Sequence, residues 1–191
     1  MTCKEKGTPR FPEAEPADYP RVTTPNAHLP LPVTLFPEDA TPYSEAAVVI
    51  SAAQTVILTT HLNPDGDGIG AGLALQLALT RMGKQVRFLC PSKIAPGYAY
   101  LPEFSSIRVM TEAAQAATEP RADVIISCDA GDRERIGAVW GVARGTFINL
   151  DHHSTNTNFG DLNVVDLSAE STGVAVSRLL TCLDQPIDRL I

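Results

Sequence analysis

The chain has 191 residues and a mass of 20.4 kDa, which corresponds to one ordinary domain with an appendage. Its formal net charge is −7 and its pI is about 5.0, which argues against a protein held on long nucleic acid by a basic surface. A small phosphorylated ligand is compatible with this charge if metal ions supply the positive potential.

The four cysteines lie far apart in the chain and form no C-x-x-C pair. This spacing argues against a zinc knuckle or a small disulfide framework. The N-terminal segment lacks the apolar core of a signal peptide, and no stretch reaches the roughly 18 apolar residues that a membrane span requires. We therefore expect a cytoplasmic protein that has no membrane partner.

Residues 1–42 hold nine of the fifteen prolines in the chain. Each proline fixes φ and removes a backbone donor, so neither a helix nor a central strand is expected across this segment. We predict an extended or disordered segment over 1–42, followed by a folded domain over 43–191. A docking arm for a partner is the functional alternative for the proline-rich segment.

The pattern changes after the prolines, and the first half of the domain contains two predicted helices and two predicted strands. They are a helix over 44–53 with Ser44 as its N-cap, a strand over 55–60, an apolar helix over 69–82 that ends at Gly83, and a strand over 85–90. The strand over 55–60 is β-branched and apolar on both faces, as buried parallel strands are.

The second half of the domain continues this alternation. Its predicted elements are a loop over 91–104, a short strand over 106–110, a short helix over 112–117, a buried strand over 122–129, helical turns over 133–142, a strand over 146–151 and a final helix over 168–183 with Ser168 or Ser171 near its N-cap. Alternating strands and helices predict an α/β fold, with a mostly parallel sheet flanked by helices.

Potential metal ligands follow three of the predicted strands. They are His61, Asp65 and Asp67 after the first strand, Asp129 at the end of the third, and Asp151, His152 and His153 at the end of the fourth. Each alone would be explained as a cap, a turn former or an ordinary histidine. Because ligands bind outside the carboxyl ends of parallel strands, their joint occurrence predicts one shared site.

The chemistry of these side chains favours a centre with two metal ions. Several carboxylates in one crevice repel each other, and divalent cations relieve that repulsion. Oxygen and nitrogen ligands without thiolate favour Mn²⁺ or Mg²⁺ over structural zinc. An aspartate shared by two ions about 3.5–4 Å apart is an arrangement used for in-line phosphoryl hydrolysis.

A run of glycines lies in the first ligand segment, at Gly66, Gly68, Gly70 and Gly72. These glycines do not fit the G-x-G-x-x-G spacing of a dinucleotide site, and no G-x-x-x-x-G-K-[ST] sequence of a P-loop occurs. We interpret them as a tight turn between strand and helix that leaves room for phosphate.

Three segments in this order resemble motifs I, II and III of the DHH phosphoesterase superfamily. They are His61-Leu-Asn-Pro-Asp65-Gly-Asp67-Gly-Ile-Gly, Asp129-Ala-Gly-Asp132 and Asp151-His152-His153. The most similar subgroup is the bifunctional oligoribonuclease and 3′-phosphoadenosine 5′-phosphate (pAp) phosphatase. The resemblance covers about residues 42–185 and implies a DHH-type domain there.

The resemblance implies roles for the metal ligands. His61 and Asp65 would bind a first Mn²⁺ ion, and Mg²⁺ is the alternative metal. Asp67 and His152 would bind a second ion, and Asp129 would bridge the two ions as part of the catalytic centre.

The resemblance also implies roles for the neighbouring residues. His153 would lie beside the substrate phosphate, where it would steady charge or donate a proton as a catalytic residue. Asp151 would orient the neighbouring histidine or close the turn, and Asp132 fits a polar turn after motif II.

Two parts of the family pattern do not occur in this chain. They are a fourth motif with a further aspartate ligand, and a C-terminal domain with a glycine-rich, histidine-containing segment that grips the nucleotide. We therefore expect the DHH-type domain to be incomplete at its C-terminus. The chain would be either an inactive fragment of a longer protein or a truncated relative.

The expected function is a Mn²⁺-dependent phosphoesterase that hydrolyses short RNA oligonucleotides or pAp by a two-metal mechanism. The partner would be a short oligoribonucleotide or a small nucleotide phosphate, not long duplex nucleic acid, and formation of a homodimer is left open. Within the superfamily, the alternative activities are hydrolysis of cyclic dinucleotides, of longer single strands or of inorganic pyrophosphate. A non-catalytic nucleotide- or metal-binding module and a plain α/β domain whose acids are caps are alternatives of other classes.

Overall fold

The computed structural model describes residues 37–112, 121–141, 144–188 and 191. The strands of this part are β1 Thr55–Thr60, β2 Gln85–Cys90, β3 Arg108–Val109, β4 Val124–Cys128, β5 Thr146–Asp151 and β6 Leu162–Val165. They form one sheet in the order β3-β2-β1-β4-β5-β6, and all neighbouring pairs are parallel. The predicted α/β fold with a mostly parallel sheet is confirmed.

The α-helices of the described residues pack on one face of the sheet and are α1 Thr41–Ala52, α2 Gly66–Arg81 and α3 Thr172–Cys182. Val56 and Leu58 of β1 point into the core beneath these helices, whereas Ile57 points into a second core that includes Ile136. Alternate strand residues face opposite sides, so a strand covered on both faces is apolar throughout. None of the helices in this part of the chain has the length and apolar character needed to cross a membrane.

The strands β1, β2 and β5 have the predicted bounds. The third predicted strand shortens to β4, and the strand predicted over 106–110 shortens to β3. β6 is missing from the predicted elements because it has only four residues and is interrupted by Asn163, whose Oδ1 accepts a hydrogen bond from the Gly160 amide at 3.0 Å. The helix predicted over 112–117 lies outside the described residues except for its first residue.

Helix α1 begins at Thr41, three residues before its predicted start. The prediction of Ser44 as the N-cap is wrong: Ala40 holds that position without a side-chain hydrogen bond, and the Ser44 hydroxyl donates to the Ala40 carbonyl at 3.4 Å. Pro42 is tolerated because amide groups in the first turn have no partner within the helix. The proline-rich segment lies outside the described residues up to residue 36, so its extended state stays a prediction.

Helix α2 begins at Gly66, also three residues before its predicted start. Asp65 is its N-cap, and Asp65 Oδ1 accepts hydrogen bonds from the amides of Asp67 at 3.0 Å and Gly68 at 3.2 Å. The interpretation of the glycine run as the strand-to-helix turn is therefore wrong, because the turn ends before it. Gly83 has φ +80° and follows the helix as predicted, in the left-handed conformation that favours glycine.

Helix α3 begins at Thr172, directly after its N-cap Ser171. The Ser171 hydroxyl accepts a hydrogen bond from the Val174 amide at 3.2 Å, which identifies it as the correct one of the two candidate caps. Ser168, the other candidate, donates its hydroxyl to Asp166 Oδ1 at 2.7 Å instead. The position of the first turn of α3 is thus set by its own cap.

A buried network joins α3 to α1 and to the chain after β6. The Arg178 guanidinium contacts Asp166 Oδ2, and the Tyr43 hydroxyl donates to the same oxygen at 2.6 Å. Burial opposes ionisation of Asp166, but these donors outweigh it and hold the pKa of Asp166 below its ordinary value. Burial and the carboxylate together raise the pKa of Tyr43, which therefore stays protonated as a donor.

Candidate metal centre

The register of the sheet brings the carboxyl ends of its central strands to one level. Thr60 at the end of β1 pairs with Cys128 at the end of β4, and the residues that follow them are His61 and Asp129. Asp151 is the last residue of the neighbouring strand β5. The three side chains therefore start from adjacent points along the same edge of the sheet.

Asp129 lies at the centre of this edge and is only 3% exposed. Its Oδ2 is 3.6 Å from His61 Nε2, while its Oδ1 is 3.8 Å from His152 Nε2 and 3.6 Å from His153 Nδ1. The backbone of Asp129 has φ +66°, a conformation that few residues other than glycine adopt and that aspartate tolerates. This local geometry turns the carboxylate towards three imidazole rings.

His61 lies next to Asp129 at the end of β1 and is 5% exposed. Its Nδ1 is 2.8 Å from the Leu62 carbonyl, which requires the proton on that nitrogen and leaves the lone pair on Nε2. Nε2 lies 3.9 Å from Oδ1 of the exposed Asp65 side chain. The Asp129 carboxylate raises the pKa of His61 against the opposing effect of burial.

Arg135 brings a positive charge to the rim of the site. Its Nη2 is 3.3 Å from His61 Nδ1, and its carbonyl accepts a hydrogen bond from the Leu62 amide at 2.7 Å. The Arg135 amide donates to Asp132 Oδ1 at 2.9 Å. Asp132 thus occupies the predicted polar turn after β4, just before the 3-10 segment Glu134–Val139 that contains Arg135.

Asp67 and His152 form the other side of the site. Asp67 lies in the first turn of α2, and its Oδ2 is 3.6 Å from His152 Nε2. His152 Nδ1 lies 3.3 Å from the Ala169 carbonyl. With the proton directed to this carbonyl, the lone pair on His152 Nε2 faces Asp67 and Asp129.

Asp151 is fully buried and orients its neighbouring histidines. Its Oδ1 lies 2.7 Å from His153 Nδ1 and accepts the His152 amide at 2.8 Å. The Asn156 side-chain amide donates to the second carboxylate oxygen at 2.6 Å. The His153 ring is therefore held through Nδ1, while its side chain remains 44% exposed.

The close approach of α2 to this cluster depends on Gly68. A Cβ atom at that position would lie 2.3 Å from Thr60 Oγ1 and 3.4 Å from Asp129 Oδ2. The first distance is far shorter than a van der Waals contact, so a side chain would push the first turn of α2 away. Gly68 thus permits Asp65 and Asp67 to approach Asp129.

The described donor atoms form two groups that could each hold a metal ion. One group is His61, Asp65 and Asp129, and the other is Asp129, His152 and His153, with the ligand atoms of each group within 4.8 Å of one another. The imidazole and carboxylate atoms around Asp129 face each other at 3.6–3.8 Å, beyond hydrogen-bond distance. Carboxylate oxygens and imidazole nitrogens of this kind are ligands for divalent metal ions.

A sequence model described as the N-terminal domain of the DHH family matches residues 55–189. The chain belongs to the DHH family. The match contains every predicted ligand, so the resemblance read from the three motifs is confirmed.

Two curated relatives of this DHH chain are named bifunctional oligoribonuclease and PAP phosphatase NrnA. The protein from Thermus thermophilus is 31% identical over 140 residues, which cover 72% of this chain and 40% of the relative. The protein from Bacillus subtilis is 27% identical over 136 residues, which cover 71% of this chain and 41% of the relative. The chain therefore spans about two fifths of the length of these relatives.

A solved structure with the same fold is that of an exopolyphosphatase-related protein from Bacteroides fragilis. It superimposes with a TM-score of 0.68 at 22% sequence identity and covers 76% of this chain and 44% of that chain. At this identity the likeness shows that the two proteins share the DHH fold.

The DHH fold brings together all the side chains that were predicted as ligands. His61, Asp65 and Asp129 form one group, and His152 joins Asp129 and Asp67 on the opposite side. The individual metal assignments stay predictions.

Two residues of the site, Thr172 and Gly173, are missing from the predicted set. Their amides donate to the two carboxylate oxygens of Asp67 at 2.8 and 2.9 Å, and the Thr172 hydroxyl donates to Asp129 Oδ1 at 2.9 Å. The sequence feature that could have identified these residues is Ser171-Thr172-Gly173 at the start of α3. Because β6 was not predicted, nothing placed that helix start beside the other strand ends.

The hydrogen bond from Thr172 also affects the charge of Asp129. Burial alone would oppose ionisation of this carboxyl group. The adjacent His61 ring and the Thr172 hydroxyl outweigh burial and hold the pKa of Asp129 below its ordinary value. Asp129 is therefore an anion at neutral pH, which is the form that binds metal.

Proposed function

We propose that this DHH domain is the metal-binding part of a Mn²⁺-dependent phosphoesterase that acts on short RNA oligonucleotides or pAp. The observation that carries the proposal is the position of Asp129, which belongs to both groups of donor atoms. The names of the curated relatives supply the substrate class. Because the chain spans about two fifths of their length, the substrates are proposed for the protein as a whole.

His61, Asp65 and Asp129 would hold one ion, and Asp67, Asp129 and His152 would hold the second. When bound, two divalent ions supply positive charge and Lewis acidity for hydrolysis of a phosphoester. The protein contributes fixed geometry: the Nδ1 atoms of His61 and His152 face backbone carbonyls, so that their Nε2 atoms point into the site.

His153 would act on the substrate. Its Nδ1 lies 3.6 Å from Asp129 Oδ1, but the same atom lies 2.7 Å from Asp151 Oδ1 and is committed to that carboxylate. Nε2 is then the nitrogen available to bind a phosphate oxygen or to donate a proton to the leaving oxygen. Arg135 would add attraction for the anionic substrate at the opposite rim.

The test compares metal binding with hydrolysis. The chain is titrated calorimetrically with Mn²⁺ and with Mg²⁺, and the full-length protein is incubated with oligoribonucleotides of two to five nucleotides, pAp, a cyclic dinucleotide and pyrophosphate. We expect binding of Mn²⁺ and Mn²⁺-stimulated release of mononucleotide or phosphate. Asp129→Asn should reduce release to the background rate, whereas the matched variant Asp132→Asn should retain it because Asp132 caps a turn outside the donor groups.

Each other outcome has a definite meaning. Hydrolysis that survives in Asp129→Asn would refute the proposed centre. Binding of Mn²⁺ without turnover of any substrate would favour a non-catalytic module, and preferential cleavage of the cyclic dinucleotide or pyrophosphate would reassign the substrate. The homodimer and the cytoplasmic location stay predictions, which light scattering and cell fractionation would test.

A further inference from the structure

The N-terminus of α3 contacts two of the proposed metal ligands at once. The amides of Thr172 and Gly173 donate to the two oxygens of Asp67, and the Thr172 hydroxyl donates to Asp129 Oδ1 at 2.9 Å. Thr172 is completely buried. It thereby connects the carboxylate proposed to bridge the ions with the carboxylate proposed to bind the second ion.

The Thr172 hydroxyl does not cap helix α3. Ser171 is the N-cap and its hydroxyl already accepts the Val174 amide at 3.2 Å. The anchoring of α3 comes from the contact of Arg178 with Asp166, two turns further along. The hydroxyl of Thr172 is thus directed to Asp129 by a helix whose position other residues determine.

We propose that Thr172 is a positioning residue of the metal centre, which fixes the orientation of the Asp129 carboxylate through its hydroxyl group. This inference rests on the proposed function, since it assigns Thr172 a role toward the same ions. A carboxylate held by a donor loses less conformational freedom when it binds an ion, and such outer partners typically contribute a factor of about 10–100 to metal affinity. Because Asp129 belongs to both donor groups, the effect should extend to both ions.

The experiment measures Mn²⁺ affinity in three variants of the full chain. Thr172→Val removes the hydroxyl, Thr172→Ser keeps it, and Ser171→Ala removes the cap of the same helix without touching a ligand. We expect Thr172→Val to weaken Mn²⁺ binding about 10–100-fold, and Thr172→Ser to restore it to within about threefold. Ser171→Ala should lower the melting temperature through loss of the cap and leave the Mn²⁺ dissociation constant unchanged.

Circular dichroism establishes that each variant is folded, and Thr172→Ala replaces Thr172→Val if the latter is not. Equal affinity of the wild type and Thr172→Val would overturn the positioning role while leaving the metal centre intact. An equal loss of affinity in Ser171→Ala would also overturn it, because the loss would then follow helix stability alone. Failure of the wild-type chain to bind Mn²⁺ would overturn the proposed function together with this inference.

Discussion

The substitution of Gly68 by alanine should separate helix propensity from packing at the proposed centre. The new Cβ atom would lie 2.3 Å from Thr60 Oγ1 on the completely buried Thr60. A normal contact requires roughly 1 Å more, and overpacking of this kind costs about 1–3 kcal/mol. Relative to an alanine placed without a clash, the free energy of unfolding should be lower by about that amount, and the approach of Asp65 and Asp67 to Asp129 should loosen.

Gly70 provides the matched control two residues further along α2. A Cβ atom there would have nothing within 4 Å, so Gly70→Ala should stabilise the protein by about 0.4–1 kcal/mol through reduced freedom of the unfolded chain. Urea unfolding followed by circular dichroism would compare the two variants with the wild type. Because this gain is common to both glycine-to-alanine variants, Gly68→Ala should be less stable than Gly70→Ala by the overpacking cost of about 1–3 kcal/mol.

A double variant identifies the atom responsible. Thr60 Oγ1 has no hydrogen-bond partner among the described residues, so Thr60→Ala removes the obstacle without breaking a bond. In the double variant Thr60→Ala and Gly68→Ala, part of the loss should return as a coupling free energy of about 0.5–3 kcal/mol. Equal stability of Gly68→Ala and Gly70→Ala, or strict additivity in the double variant, would refute the packing argument.

Two further predictions concern groups behind the centre. Asp166→Asn should destabilise the fold by about 3–5 kcal/mol because it leaves the buried Arg178 charge unpaired. Folding lowers the pKa of Asp166, so the stability that its carboxylate contributes is present above the unfolded pKa of about 3.9 and is lost as the pH falls through the lower folded value. Urea titrations between pH 2.5 and pH 7 should therefore show a smaller acid-induced loss of stability in Asp166→Asn than in the wild type. An equal loss in both proteins would contradict this role of Asp166. Asp151→Asn should lower kcat about 100-fold with little change in KM, because the amide that replaces the carboxylate is an uncharged and weaker acceptor for His153 Nδ1. An unchanged rate of the chemical step in single-turnover assays on an active preparation would exclude that role.

The strands were predictable where both faces of the sheet are covered. In β1 every residue from Val56 to Thr60 is buried, and the run of β-branched and apolar residues indicates this burial in the sequence. Helix starts were harder to predict, because Pro42 is the second residue of α1 and α2 begins with a glycine run, both of which normally indicate a break. The first turn of α1 tolerates Pro42 because its amide groups need no helical partner. The first turn of α2 is stabilised by its N-cap Asp65.

The ligands were predictable for a topological reason. Parallel strands present their carboxyl ends on one edge, so polar residues after β1, β4 and β5 must converge whatever the details of the loops. Thr172 could not be found in this way, because it belongs to a helix and reaches the edge only through the position of α3. The close approach at Gly68 also depends on side-chain packing between elements, which periodicity does not reveal.

The carboxylates of the centre are stabilised by donors of the fold itself. Asp65 accepts the amides of the first turn of α2, and Asp67 accepts those of the first turn of α3. Asp129 accepts the Thr172 hydroxyl, and these donors reduce the repulsion among the three carboxylates. The donors occupy only part of the lone pairs on these oxygens, so each carboxylate can accept its protein donor and still bind a metal ion.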